Sequence, residues 1–138
     1  MSYELAIPQF ERQEVRLRGG IIREYVAEPR ERSPMQVYCM GMRSESALYI
    51  KIGISKLPFY RLQQINTGRG AKMPPEWRGE TVDLICTRPG GLPEERQIHR
   101  DLHEYRVYGT EWFLGHMAVV DYLNEDPEWR VWWPLTQE

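Results

Sequence analysis

Two side chains in the middle of the chain invite a chemical reading. Tyr38 stands in the run Gln36-Val37-Tyr38-Cys39-Met40, and Lys51 in Leu48-Tyr49-Ile50-Lys51-Ile52-Gly53. Each run is made of strand formers, and the polar stretch Arg43-Ser44-Glu45-Ser46 between them reads as a turn. Side chains alternate along a strand, so Tyr38 shares a face with Gln36 and Met40, and Lys51 with Tyr49 and Gly53. Paired antiparallel, the hairpin can bring a phenol and an ammonium within reach of each other. A free phenol holds its proton up to pH ~10, so it serves as a base near neutrality only where a cation stabilises its phenolate. Lys51 and a metal-bound hydroxide network are the candidates to do so.

Further candidates come from two helices. Pro58 opens the first, with Phe59, Leu62 and Ile65 at helical spacing and Asn66-Thr67-Gly68 as its stop. Arg61 lies beside that apolar stripe, not on it. The second opens at Pro93-Glu94-Glu95, with proline in the first turn and carboxylates at the positive end of the helix. It is expected to run to about Tyr105, burying Ile98, Leu102 and Tyr105. Glu95, His99 and His103 recur every four residues on a neighbouring face. As a zinc site this trio fails on distance, because its first and third members are roughly 11–12 Å apart along the axis. Any zinc would need His99, one neighbour and ligands from elsewhere. Taken singly, each candidate has an ordinary reading. Tyr38 is strand packing, Lys51 and Arg61 are surface charges, Glu95 is helix-start electrostatics, and His99 is a helix-surface residue.

The totals describe a single soluble domain of modest core. The chain has 138 residues, 41% hydrophobic and 28% charged, with no apolar run near the length of a membrane span. Its start, Met-Ser-Tyr-Glu-Leu-Ala-Ile-Pro, lacks the basic and apolar regions of a signal peptide. Cys39 and Cys86 both fall in apolar strand-like runs and read as buried reduced thiols, which points to the cytoplasm. The net charge of -2 conceals an asymmetry. Residues 37–78 carry Arg43, Lys51, Lys56, Arg61, Arg69, Lys72 and Arg78 against Glu45 and Glu76, whereas residues 79–138 are strongly acidic. The middle third can therefore present a basic face to phosphate, with Lys56, Arg61, Arg69, Lys72 and Arg78 as candidate nucleic-acid contacts. Gly68 to Gly79 is a basic loop containing Trp77, and its glycines allow close approach to a sugar-phosphate backbone.

The elements that must position these groups follow in order. Phe10 to Leu17 and Ile21 to Val26 read as a hairpin across Gly19-Gly20, and Ala27 to Pro34 as a linker. Glu80 to Arg88 is a third strand, with Val82, Leu84 and Cys86 alternating against Asp83, Ile85 and Thr87. A helical segment is expected from Gly109, continuing through His116 to Leu123 with Met117, Val120 and Leu123 inward. The tail holds Trp129, Trp132 and Trp133, which is too much apolar area to leave in water, so it should dock on the domain or on a partner, including a second copy.

In this order the pieces resemble the GIY-YIG endonuclease superfamily, and especially its small bacterial and phage branch. Gln36-Val37-Tyr38 stands at the first motif and Lys51-Ile52-Gly53 at the second. Arg61 follows on the next helix, Glu95 occupies the glutamate position, and Glu111-Trp112-Phe113 matches a closing element of that branch. The resemblance covers about residues 36–115. Gln36 replaces a glycine of the first motif, and Lys51 stands where the name-giving tyrosine would be, a lysine familiar in this branch.

The resemblance implies an α/β (α+β) fold: a small antiparallel or mixed sheet of about three strands flanked by helices. Residues 1–35 would form an N-terminal arm and linker, 36–115 the nuclease core, and 116–138 a C-terminal helix and Trp-rich tail. It implies a metal-dependent endonuclease acting on DNA, with Tyr38 as general base, Lys51 supporting its phenolate, and Arg61 gripping the scissile phosphate. Glu95 would be the single carboxylate on Mg²⁺, or Mn²⁺, and His99 would orient a water or meet the leaving group. The alternative on the same fold is a weakly active or inactive module that binds nucleic acid or protein, favoured by the substituted motifs and the acidic C-terminal third.

Overall fold

The computed structural model describes residues 11–27, 34–44, 47–68 and 72–132. Arg69, Trp133, the turn residues Glu45 and Ser46 and most of the 27–34 linker lie outside the described residues. The central hairpin forms as expected, from β3 (Gln36–Arg43) and β4 (Leu48–Ser55). In its register Tyr38 faces Gly53 and Met40 faces Lys51. The third strand, β5 (Val82–Pro89), pairs with the other edge of β3. All pairings are antiparallel.

Two short strands widen this sheet beyond the three expected. β6 (Trp112–Leu114) pairs with β4, and β7 (Arg130–Val131) pairs with β5, giving the order β6-β4-β3-β5-β7. The segment from Gly109 is therefore a turn that leads into a strand, not the start of a helix. A run of only three residues shows no periodicity of its own, and its conformation is set by the free edge of β4. An earlier pair, β1 (Glu11–Arg16) and β2 (Ile22–Ala27), makes a separate two-stranded sheet across Gly19-Gly20. Both glycines take positive φ there, a conformation that other residues adopt only with strain.

The sheet is buried on both faces. One face carries Tyr38, Met40, Met42, Tyr49, Leu84 and Trp112, which pack with Phe59, Leu62 and Ile65 of α1 (Pro58–Asn66) and with Val15, Leu17 and Tyr25 of the β1–β2 hairpin. The other carries Val37, Cys39, Ile50, Ile52, Cys86 and Phe113. These meet Ile98 of α2 (Leu92–Asp101) and Leu102 just beyond it, and Val119 and Leu123 of α3 (Met117–Asn124). Burial of each such side chain is worth about 1.5–3 kcal/mol, so the two clusters carry most of the stability. The β3–β5 register slips between Cys39 and Met40, so that Cys39 faces Cys86 while Met40 faces Leu84. Ile85 is the residue bypassed. This bulge places both Ile85 and Cys86 in the α2 and α3 cluster and breaks the simple alternation read from the sequence.

The remaining helix readings shift slightly. α2 ends at Asp101, and His103–Tyr105 is a separate 3₁₀ turn. In α3 the inward pair is Val119 and Leu123, while Met117 is half exposed at the first turn. Two of the tail tryptophans dock on the domain. Trp132 packs edge-on against Tyr25 and Phe59 and donates its indole N–H to Thr87 Oγ1 at 2.9 Å. Trp129 lies partly buried against the α2 and α3 cluster.

Candidate functional site

The site is assembled where β4 outruns β6. Lys51 is opposite Trp112, the first residue of β6, and beyond it the Ile52 N–H donates to the Glu111 carbonyl at 3.4 Å. This leaves the Ile52 carbonyl past the end of the short strand. It accepts from His99 Nε2 at 2.9 Å, which fixes the proton on that nitrogen, because a carbonyl only accepts. His99 also tilts against Phe113 with ring centres 5.1 Å apart. α2 is thereby tied to the edge of the sheet, with Glu95 one turn earlier on it.

Lys51 is the unusual residue. Its side chain is only 2% exposed, and a buried ammonium is costly unless it is paired. Its Nζ donates to Glu111 Oε1 at 3.0 Å. The same nitrogen lies 5.4 Å from the centre of the Tyr38 ring, within range of a cation–π attraction. Tyr38 is itself 2% exposed, and the hydroxyl end of its ring occupies the space where a side chain on Gly53 would begin.

Two carboxyls share this field. Glu95 is 8% exposed, and burial pushes its carboxyl above the ordinary range. The positive charges of His99, Lys51 and Arg96 pull it back, while the charge of Glu111 adds to the rise. Burial also raises Glu111, but there the charge and hydrogen bond of Lys51, with His99 and Arg61, win and hold it below its usual value. Arg61 stands half-buried on α1, donating to Gln64 Oε1 at 3.2 Å, close enough for its charge to act on Glu111. Tyr38, Lys51, Arg61, Glu95 and His99 therefore come from β3, β4, α1 and α2 to one region, linked through Lys51 and Glu111.

Glu111 is the member that sequence reading passed over. It was noticed only as part of Glu111-Trp112-Phe113, and nothing local marks it, since its partner is sixty residues away. The zinc alternative gains nothing. His103 Nδ1 is engaged with the Arg100 carbonyl at 2.9 Å, and among the described residues no three His, Cys, Asp or Glu side chains form a metal-holding group. A single carboxylate suits a hard ion that keeps most of its water, and Glu95 is the oxygen donor at hand.

The candidate nucleic-acid contacts are more dispersed. Lys56, Lys72 and Arg78 are exposed. Arg78 donates to the carbonyls of Pro75 and Trp77, and so is partly spent on its own loop. That loop is anchored to the rest of the domain. Arg18 lies over the Trp77 ring at 4.4 Å, and the Tyr49 hydroxyl donates to Glu76 at 2.7 Å. Lys72 Nζ lies 3.4 Å from where a Cβ on Gly109 would stand, next to the turn that leads into Glu111.

Fold and site together define a mixed α+β domain with a charged centre at one sheet edge. The model of the T5orf172 domain matches residues 35–130, well over half of the chain, and the protein belongs to that family. Domains of this family are associated with nuclease-like proteins. Comparison with curated proteins and with solved structures gave no match. No helix among the described residues is long and apolar enough to cross a membrane.

Proposed function

We propose that the protein is a metal-dependent endonuclease that hydrolyses phosphodiester bonds in DNA, working on a site of the GIY-YIG type. The observation that carries this reading is Lys51: a buried ammonium paired to Glu111 and lying beside the Tyr38 ring, in the same field as Arg61, Glu95 and His99. A buried cation beside a buried phenol is poorly explained as packing, because apolar residues of similar size would fill the space at lower cost. Membership of a nuclease-associated family supports the same conclusion.

Each residue has a task. Tyr38 takes the proton of the attacking water, and the Lys51 charge stabilises the phenolate that this leaves. Lys51 is too enclosed to grip a phosphate in solvent. Arg61, on α1, is the cation that binds the phosphate and meets the charge that grows on it in the transition state. Glu95 is the residue that would hold a divalent ion, for which Mg²⁺ is the natural choice and Mn²⁺ an alternative. When bound, such an ion supplies charge neutralisation at the phosphate and the leaving oxygen. His99, with Nε2–H on the Ile52 carbonyl, keeps α2 at the edge of β4 and is placed to orient a water or meet the leaving group.

The test is nicking of supercoiled plasmid in Mg²⁺ by the wild type, Glu95→Ala and Tyr38→Phe. Cleavage by the wild type that both variants lose supports the reading. Equal activity in all three would mean that the chemistry lies elsewhere.

A further inference from the structure

We infer that Glu111 is a positioning residue: its carboxylate holds the Lys51 ammonium beside the Tyr38 ring, and it takes no part in the reaction itself. The inference rests on the endonuclease reading for its consequence, but not for its geometry. Lys51 is 2% exposed and Glu111 50% exposed, so the buried partner depends on the exposed one for its hydrogen bond at 3.0 Å. A long, half-exposed glutamate would ordinarily sample several rotamers. Here its backbone is clamped on both sides.

The clamp is built from the turn between Arg106 and Trp112. The Val107 N–H donates to the Trp112 carbonyl at 2.8 Å, and Arg106 bridges to Phe113. Thr110 is buried and does double duty. Its hydroxyl donates to the Val107 carbonyl at 2.8 Å and accepts from the Trp112 N–H at 3.0 Å. Arg106 Nε donates to the Thr110 carbonyl at 2.6 Å. Gly109, at φ +74°, takes the conformation that lets the chain reverse. The Glu111 carbonyl then accepts from Ile52, the residue after Lys51. Acceptor and donor are thus fixed on adjacent rungs of one ladder.

This fixes a division of labour between the two cations. Arg61, half-buried on α1, is the cation that meets substrate, while Lys51 is enclosed between Glu111 and the Tyr38 ring. A cation so placed must stay still, and its hydrogen bond to Glu111 holds it there. The turn that carries Glu111 is then part of the active site's support, although it lies outside the strands and helices that hold the other five groups.

The experiment compares Glu111→Ala, Glu111→Gln and Glu111→Asp with the wild type, each checked for folding by circular dichroism. An ammonium locked in a buried pair exchanges its protons slowly, so the Lys51 side-chain NH₃⁺ signal should be visible by ¹⁵N NMR in the wild type. The signal should vanish in Glu111→Ala and return at least in part in Glu111→Asp. In Mg²⁺, kcat should fall at least tenfold in Glu111→Ala and Glu111→Gln. DNA affinity measured without metal should be unchanged or tighter, because a negative charge has gone. A Lys51 signal that persists in Glu111→Ala would overturn the inference. So would a kcat loss recovered by raising Mg²⁺, which would make Glu111 a metal ligand. A wild type that cuts nothing would defeat the endonuclease reading, while the Lys51 signal would still decide whether Glu111 holds the ammonium.

Discussion

The Tyr38 hydroxyl lies 2.5 Å from the point where a Cβ on Gly53 would stand, and the ring carbon bearing it lies 2.6 Å away. The two residues are cross-strand partners, so the ring is laid over the one position in β4 that has no side chain. Gly53→Ala must push the phenol off its seat. The expected loss is about 1–3 kcal/mol of stability, as for other overpacked sites, together with at least a tenfold loss of cleavage per folded molecule. Gly41→Ala is the control. Its Cβ meets Ile85 Cδ1 at 2.5 Å, the far end of a flexible side chain on the opposite face. That variant should lose stability but keep its activity. Denaturant melts and plasmid nicking on both proteins decide the matter, and equal activity loss in the two would show that the seat of Tyr38 is not special.

Glu95 should set stability against activity. Burial raises its carboxyl, so folding favours the protonated form. That contribution is complete below the ordinary carboxylate range and disappears as pH rises through the raised value. At neutral pH the ionised side chain is therefore a burden on the fold. Glu95→Gln is expected to melt higher than the wild type at pH 7, with the difference closing as pH falls below the usual glutamate value. Its cleavage should fall about a hundredfold or more. Thermal melts across pH 3.5–8 would contradict this if the variant were less stable at neutrality.

How much of this was legible beforehand depended on the range of the interaction. The β3–β4 hairpin and α1 were readable because alternation and the Phe59, Leu62, Ile65 spacing are local signals. α2 was readable from Pro93 and its carboxylates. β6 and β7 were not, because strands of three and two residues exist only as additions to an edge that is already there. The bulge at Ile85 was hidden for another reason. Leu84, Ile85 and Cys86 are all apolar and all buried, so no polar residue within that run marks which side chain has changed sides. Glu111 was invisible as a partner of Lys51 because nothing in either neighbourhood refers to the other. The inward face of α3 was misread at Met117, since the first turn of a short helix overhangs the sheet it packs on.

Cys39 and Cys86 face each other across β3 and β5, both as free thiols and both buried. Burial pushes the Cys39 thiol well above its usual value, and the neighbouring Cys86 adds to this. A thiol is inert while protonated and enclosed. Neither should react with a thiol reagent at pH 8 in the native protein, and two equivalents should react on unfolding in guanidinium. Rapid labelling of the folded protein would show that the α2 and α3 face opens far more readily than its packing implies.

Asn66 offers a test of how α1, and with it Arg61, is held to the sheet. The side chain is buried at the last turn of the helix. Its Nδ2 donates to the Leu62 carbonyl at 3.0 Å and to the Val82 carbonyl at 2.9 Å, while Oδ1 accepts from the Val82 N–H at 2.9 Å. The amide thus pairs with β5 as another strand would, at the end of its outer edge that β7 does not reach. Asn66→Leu would fill the volume but leave the Val82 N–H and carbonyl buried without partners. At about 1–3 kcal/mol for each buried group left unpaired, the variant should lose roughly 2–6 kcal/mol. Hydrogen exchange should localise the effect, with the Val82 amide losing its protection well before amides in the centre of β3. Because Arg61 rides on the same helix, DNA affinity should weaken even under conditions where the variant is fully folded. Asn66→Asp separates the two directions of bonding: it keeps the acceptor for the Val82 N–H but gives up both donated bonds and brings a charge inside. It should be less stable than Asn66→Leu at pH 7 and recover as pH falls and the carboxyl is protonated. A variant of either kind with unchanged stability and unchanged Val82 exchange would mean that α1 is held by its apolar face alone.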